Sequence, residues 1–145
     1  MAYASITDVQ NLGVPAQAIG FLTDTQQNAI LQSASDYADT FFRARWGTHA
    51  VPLLAWDSSV TEAVAKIAAY RMIRVRGFKS NASADNELRQ GHDDAVNWLH
   101  LVQRQQAHPS VTVAQANAPG SQQPLLISSS VVNVLSGSTG PNRGW

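Results

Sequence analysis

Few residues in this chain could do chemistry. Four histidines, ten acids and ten bases are spread over 145 residues, and cysteine is absent. His92 with Asp93, and His100 with Gln103, are the pairs nearest to metal-ligand spacing. A zinc site needs at least a third protein ligand. His92 and His100 stand eight residues apart with no third donor at a fitting step. His92 falls on an apolar stripe, so a hydrogen-bonded core or subunit-contact role is expected of it. Asp36 and Asp39 share one helix face, and Asp93 and Asp94 are adjacent. General acid–base pairs need opposed placement across a cleft, which one face does not provide. Asp39 and Arg43, at i and i+4, read as a surface ion pair worth a few tenths of a kcal/mol. No glycine-rich phosphate loop, His-Glu-x-x-His or Gly-x-Ser-x-Gly occurs. Without cysteine, thiolate nucleophiles, thiolate zinc sites and disulfides are excluded together. The expectation is no enzyme, no metal and no cofactor.

What remains is electrostatic. After Glu62, the cations Lys66, Arg71, Arg74, Arg76 and Lys79 follow with no acid until Asp85. On a helix, Lys66, Arg74 and to a lesser degree Arg71 point away from the Val64, Ile67, Ala68 stripe. Such a run is a solvated face that complements the helix C-terminus, or it meets an acidic protein surface or a nucleic-acid backbone. The helix after the next turn opens with Asp85 and Glu87. Those carboxylates complement a helix N-terminus but repel phosphate, so sequence-specific DNA reading is not expected. The formal net charge of zero also argues against a strongly basic nucleic-acid binder.

The elements that must position these groups are helical over residues 1–106. Ser5 or Thr7 can cap a short leading helix that Gly13 and Pro15 end. Asp24, flanked by Thr23 and Thr25, caps a long helix with Ile30, Leu31, Ala34, Tyr37, Ala38, Phe41 and Phe42 on one face, closing near Trp46 and Gly47. A link holding Pro52, Leu53 and Trp56 leads to a second helix, started at Asp57, Ser58 or Ser59 and stopped at Gly77. Its inner stripe is Val60, Val64, Ile67, Ala68, Met72 and Val75. A third helix from about Ala84 carries Leu88, His92, Ala95, Leu99 and Val102, with Trp98 alongside. Three long helices, a short leading one and short links predict a small antiparallel all-α bundle.

The character changes at Ala107. Nineteen of the twenty charges lie in 1–106, whereas 107–145 holds only Arg143 and four of the six prolines. Yet Leu125, Leu126, Ile127 and Val131, Val132, Val134, Leu135 form β-prone runs between Pro124 and Gly137. Branched aliphatics left in water invite aggregation. The expectation is therefore an extended arm that orders, as a strand, on another subunit or partner. No run is long enough to span a membrane, and Met1–Ser5 does not resemble a secretory signal.

The order of the pieces carries a resemblance. Leu22-Thr23-Asp24 opens a helix carrying Ala34-Ser35-Asp36-Tyr37-Ala38-Asp39 and closing on Arg43-Ala44-Arg45-Trp46. Val51-Pro52-Leu53, Ile67-Ala68-Ala69-Tyr70-Arg71-Met72 and Asp94-Ala95-Val96-Asn97-Trp98-Leu99 follow. Over residues 4–106 this resembles the head–tail connector, or adaptor, proteins of tailed bacteriophages. Tyr37-Ala38-Asp39 stands where that family has Ile-Asp, and Arg89-Gln90-Gly91 where it prefers Arg-Tyr. The resemblance implies a virion neck protein, present in host cytoplasm before assembly. It implies a dodecameric ring with a portal above, a stopper or tail-completion protein below, and non-specific contact with genomic DNA in the lumen. The arm, with Leu125, Leu126, Ile127, Val131, Val132, Val134, Leu135 and Arg143, would reach the portal, and Trp145 would anchor it. Arg43, Arg45, Lys66, Arg71, Arg74, Arg76 and Lys79 would serve subunit contacts or the DNA lumen. The rival readings are a tail-completion or stopper protein and, in another class, a small helical DNA-binding regulator.

Overall fold

A computed structural model describes residues 2–78 and 81–114. Three of its helices begin where a neighbouring side chain accepts their first N–H groups. Helix α1, Ile6–Leu12, opens at Ser5, whose hydroxyl accepts the Asp8 N–H at 3.1 Å while Asp8 accepts the Ser5 N–H at 2.7 Å. Thr23 and Gln26 repeat this reciprocal cap at the start of α3, Asp24–Trp46. Asp57 caps α4, Ser58–Arg76, by accepting the Ser59 and Val60 N–H groups at 3.1 and 3.4 Å. Each such cap contributes about 1 kcal/mol. The last long helix, α5, is Ser83–Gln103. Two short elements were not anticipated: after Pro15, the single turn α2, Ala16–Ile19, brings Ile19 into the core, and a 3-10 turn, Thr48–Ala50, opens the link and buries Ala50.

The fold is an all-α antiparallel bundle in which α4 is the centre, with α1, α3 and α5 packed around it. Val60, Val64, Ile67, Ala68 and Met72 are buried as the spacing predicts. Ala63, Ala65, Ala69 and Ile73 are buried too, so α4 is covered around most of its circumference. Val75, assigned to the same stripe, is instead 59% exposed. Periodicity locates a face, but not where the neighbouring helices stop covering it. The small side chains on α4 let α1 approach closely: a Cβ on Gly13 would come within 2.5 Å of the Ala69 Cβ. Gly77 stops α4 with a φ of +112°, a conformation that L side chains rarely adopt.

After α5, Gln105 takes a left-handed conformation (φ 64°), and the Gln106 N–H bonds the Leu101 carbonyl at 2.8 Å. The chain then turns back onto the link before α4. Thr112 forms an antiparallel bridge with Ala55, and the Ser110 N–H donates to Asp57 Oδ2 at 2.8 Å. Val111 and Val113 rest against the core. The first eight residues of the arm, 107–114, thus lie on the body. The apolar runs at 125–127 and 131–135, with Arg143 and Trp145, lie outside the described residues.

Candidate interaction surfaces

The end of the bundle from which the arm departs is held by a buried polar network. Tyr3 is 1% exposed, and its ring meets Phe42 and Trp56 edge-on at 5.8 and 4.8 Å. Its hydroxyl donates to Asp39 and accepts the Leu53 N–H at 2.9 Å. Its backbone N–H donates to the Ser35 hydroxyl at 3.0 Å, and its carbonyl accepts the Thr61 hydroxyl at 3.0 Å. One residue thereby joins the chain start, α3, the link and α4. Asp39 is not the surface partner of Arg43 that its spacing suggests. It is 7% exposed, and among the described residues it forms no ion pair.

Burial pushes the Tyr3 hydroxyl well above the usual phenol range, and its bond to Asp39 pushes the same way. Burial also raises the Asp39 carboxyl, against the opposing pull of the Tyr3 hydrogen bond and the Arg43 charge. At Asp57, partial desolvation is outweighed by four hydrogen bonds from the Ser59 hydroxyl and the Ser110, Val60 and Ser59 N–H groups. That carboxyl is held below its ordinary range.

The candidate cations do not form one patch. Arg43 and Arg45 lie at the C-terminus of α3, whereas Arg71, Arg74 and Arg76 lie at the C-terminus of α4, the opposite end of an antiparallel pair. Arg76 is committed within the chain: its Nη2 lies 2.8 and 2.7 Å from the two oxygens of Asp85, a carboxylate buried to 4% exposure. Lys66 pairs with Glu62 one turn earlier. Arg71 donates to the Ser33 hydroxyl at 2.7 Å and lies over the Tyr37 ring. Arg45 lies over Trp46, with its Nε buried and without a protein acceptor. Arg43 and Arg74 are exposed, and Lys79 is outside the described residues. Among the histidines, His92 sits half-buried beside Tyr70 with Nδ1 3.2 Å from Asp93, and His100 meets Phe41 edge-on. Among the described residues, no three His, Asp or Glu side chains converge as a metal ion would require.

The structure also brings together residues that the sequence reading did not connect. Three adjoining hollows of about 170, 290 and 270 Å³ run along the crevice that α5 makes with α4 and α1. The first two share Lys66 and Asp94, and the last two share Gly13, Glu87 and Leu88. They make one furrow from Trp98 to Ala84, with Leu12 at its rim. A signal for it was present in the spacing of Glu87, Gln90 and Asp94, which places three polar groups on one flank of α5.

Residues 3–127, which take in every helix among the described residues and the start of the arm, match the family model for Bacteriophage Mu, Gp36. The chain belongs to this family. Membership in the Mu Gp36 family places it among bacteriophage proteins and agrees with the phage resemblance read from the order of its motifs. No curated protein and no solved structure matches it. No helix among the described residues of this Mu Gp36 family member is long and apolar enough to cross a membrane.

Proposed function

We propose that the chain is a non-enzymatic virion protein of the phage neck, a head–tail connector whose copies form a ring between portal and tail. Membership in a bacteriophage family carries this reading, joined to the connector-like order of motifs over 4–106. The geometry adds support from the arm. Its described residues, 107–114, are held against the link and the cap of α4 at one defined end of the body. An arm launched from a fixed point suits capture of a portal above the ring, with a stopper or tail-completion protein below. The cations support subunit or acidic-surface contacts better than base reading, since Lys66 and Arg76 are already matched by carboxylates. A lumen passing packaged DNA needs only sequence-tolerant contact with the backbone.

Mixing the full chain with portal rings of its phage and weighing the product by native mass spectrometry tests this. The expected result is a portal particle heavier by a whole number of 15.6 kDa subunits. No gain in mass, together with tight, sequence-selective and salt-sensitive binding to short DNA duplexes, would sink it in favour of a regulator.

A further inference from the structure

The flank of α5 that lines the furrow is acidic, whereas the far side holds Arg89 with Asp93 one turn on, and Asp93 is engaged by His92. Glu87 and Asp94 line the furrow beside α1 and α4. Arg89 lies about 150° around the helix from them, at 100° per residue. Its guanidinium stands 6.0 Å over the Phe78 ring, Phe78 packs on Tyr70 with centroids 5.9 Å apart, and Arg74 stands 5.9 Å over Tyr70. An aromatic pair therefore braces two exposed arginines in one strip, and no carboxylate among the described residues lies within 4.0 Å of either. In the furrow, Lys66 engages Glu62, while Glu87 and Asp94 have no cation within 4.0 Å among the described residues. Leu12, 44% exposed, and the half-buried Trp98 supply apolar surface there. The furrow follows α5 for about 20 Å at 1.5 Å per residue.

We propose that the furrow of one copy seats the Arg74–Arg89 strip of the next copy. The matching surfaces face away from each other within a chain, so Arg74 and Arg89 cannot reach their own Glu87 and Asp94 flank. Two different patches that fit each other make a head-to-tail contact, which closes as a ring where the rotation between copies brings the last back to the first. Arginines already braced by rings have less rotamer freedom to lose on docking. The zero net charge of the chain removes overall repulsion between copies, leaving local complementarity to set orientation. This names the subunit contact of the neck reading and rests on that reading for the closed ring, but the contact itself is testable without a portal.

The test reverses each side in the full chain: Arg74→Glu with Arg89→Glu, and separately Glu87→Lys with Asp94→Lys. Sedimentation velocity at low salt should show wild-type association that falls as salt is raised, weakened at least about tenfold in either double variant. An equimolar mixture of the two variants should regain it, because each reversed furrow then meets a reversed strip. Circular dichroism checks that both variants fold. The milder pair Glu87→Gln with Asp94→Asn, weakened by a smaller factor, replaces the lysine variant if that one does not fold. A monomeric wild type, a reversed variant that associates like wild type, or a folded mixture that stays monomeric would overturn the contact. Portal rings decorated by chains that never self-associate would overturn the contact and leave the neck reading standing. Intact salt-sensitive association without portal binding would do the reverse.

Discussion

The two ends of the bundle are built by different means. At the end where the arm leaves, Tyr3, Asp39, Leu53, Thr61 and Asp57 tie together segments far apart in sequence, through hydrogen bonds that are buried at Tyr3, Asp39 and Leu53, part-buried at Thr61 and exposed at Asp57. At the other end, around the turn between α4 and α5, the chief polar tie is Arg76 with Asp85, nine residues apart. Buried, satisfied networks fix a unique arrangement at the cost of strict geometry. Exposed cations over aromatic rings, as at Arg74 and Arg89, leave a surface ready to meet something else. The chain thus concentrates its long-range polar ties at the end where residues 107–114 lie on the body.

The largest effect should come from Tyr3. Tyr3→Ala removes a fully buried ring and strands its partners, and should cost about 3–5 kcal/mol in denaturant unfolding. That is a large share of the 5–15 kcal/mol typical of a domain. Tyr3→Phe keeps the ring but leaves Asp39 and the Leu53 N–H without their partner, for about 1–3 kcal/mol. In both variants, amide exchange should rise over 107–114 before it rises in the α4–α5 turn. Equal loosening at both ends would erase the distinction between them.

These residues also mark how far the sequence could be read. The helices were legible because their caps are local: Ser5 with Asp8, Thr23 with Gln26, and Asp57 with the next turn all fall within three residues. The burial of Asp39 was not legible, because its partner Tyr3 lies thirty-six residues away and a helical wheel sees only i, i+3 and i+4. Asp85 was recognisable as a first-turn acid, but its pairing with Arg76 depends on how closely the start of α5 packs on the end of α4. The furrow needed the packing of α1 against α4, which the spacing of Gly13 and Ala69 does not announce. The phage identity, in contrast, was carried by motif order, which survives when individual positions change.

Arg76→Ala tests the other end. Asp85 is buried while the guanidinium is partly exposed, so the pair falls between the surface and buried cases, and its loss should cost about 1–2 kcal/mol. Exchange should quicken in the last turn of α4 and the first of α5, with the Tyr3 network unchanged. Rapid exchange at 107–114 in this variant would mean that the two ends are coupled after all.

Two aspartates sharpen the comparison through pH. The Asp39 carboxyl is raised in the folded chain, so the native state holds its proton more tightly than the unfolded one. Its share of stability is present below the ordinary value of 3.8 and is lost as pH rises from there through the raised folded value. Asp57 is lowered, so its share is present above 3.8 and is lost as pH falls through its folded value. Asp39→Asn should therefore flatten the decline above that pH, and Asp57→Asn the decline below it, while still capping α4. Chemical unfolding across a pH series reads both slopes; identical curves for the two variants would contradict the assignment.

The smallest effect lies where the chain turns from α5 into the arm. Gln105 is an exposed non-glycine residue with φ 64°, at the position where helices commonly end in glycine. Gln105 and Gln106 donate backbone N–H groups to Val102 and Leu101, so the turn is formed despite the Cβ. Left-handed backbone costs an L residue about 1–2 kcal/mol, part of which glycine gives back through its freer unfolded chain. Gln105→Gly should therefore stabilise by about 0.5 kcal/mol, a rise of about 2 °C in Tm. It should also slow exchange at the Gln106 and Ala107 amides, both bonded to the Leu101 carbonyl. A lower Tm would mean that the Gln105 side chain contributes to the arm's departure, and the rigid end would extend one residue further than its buried network.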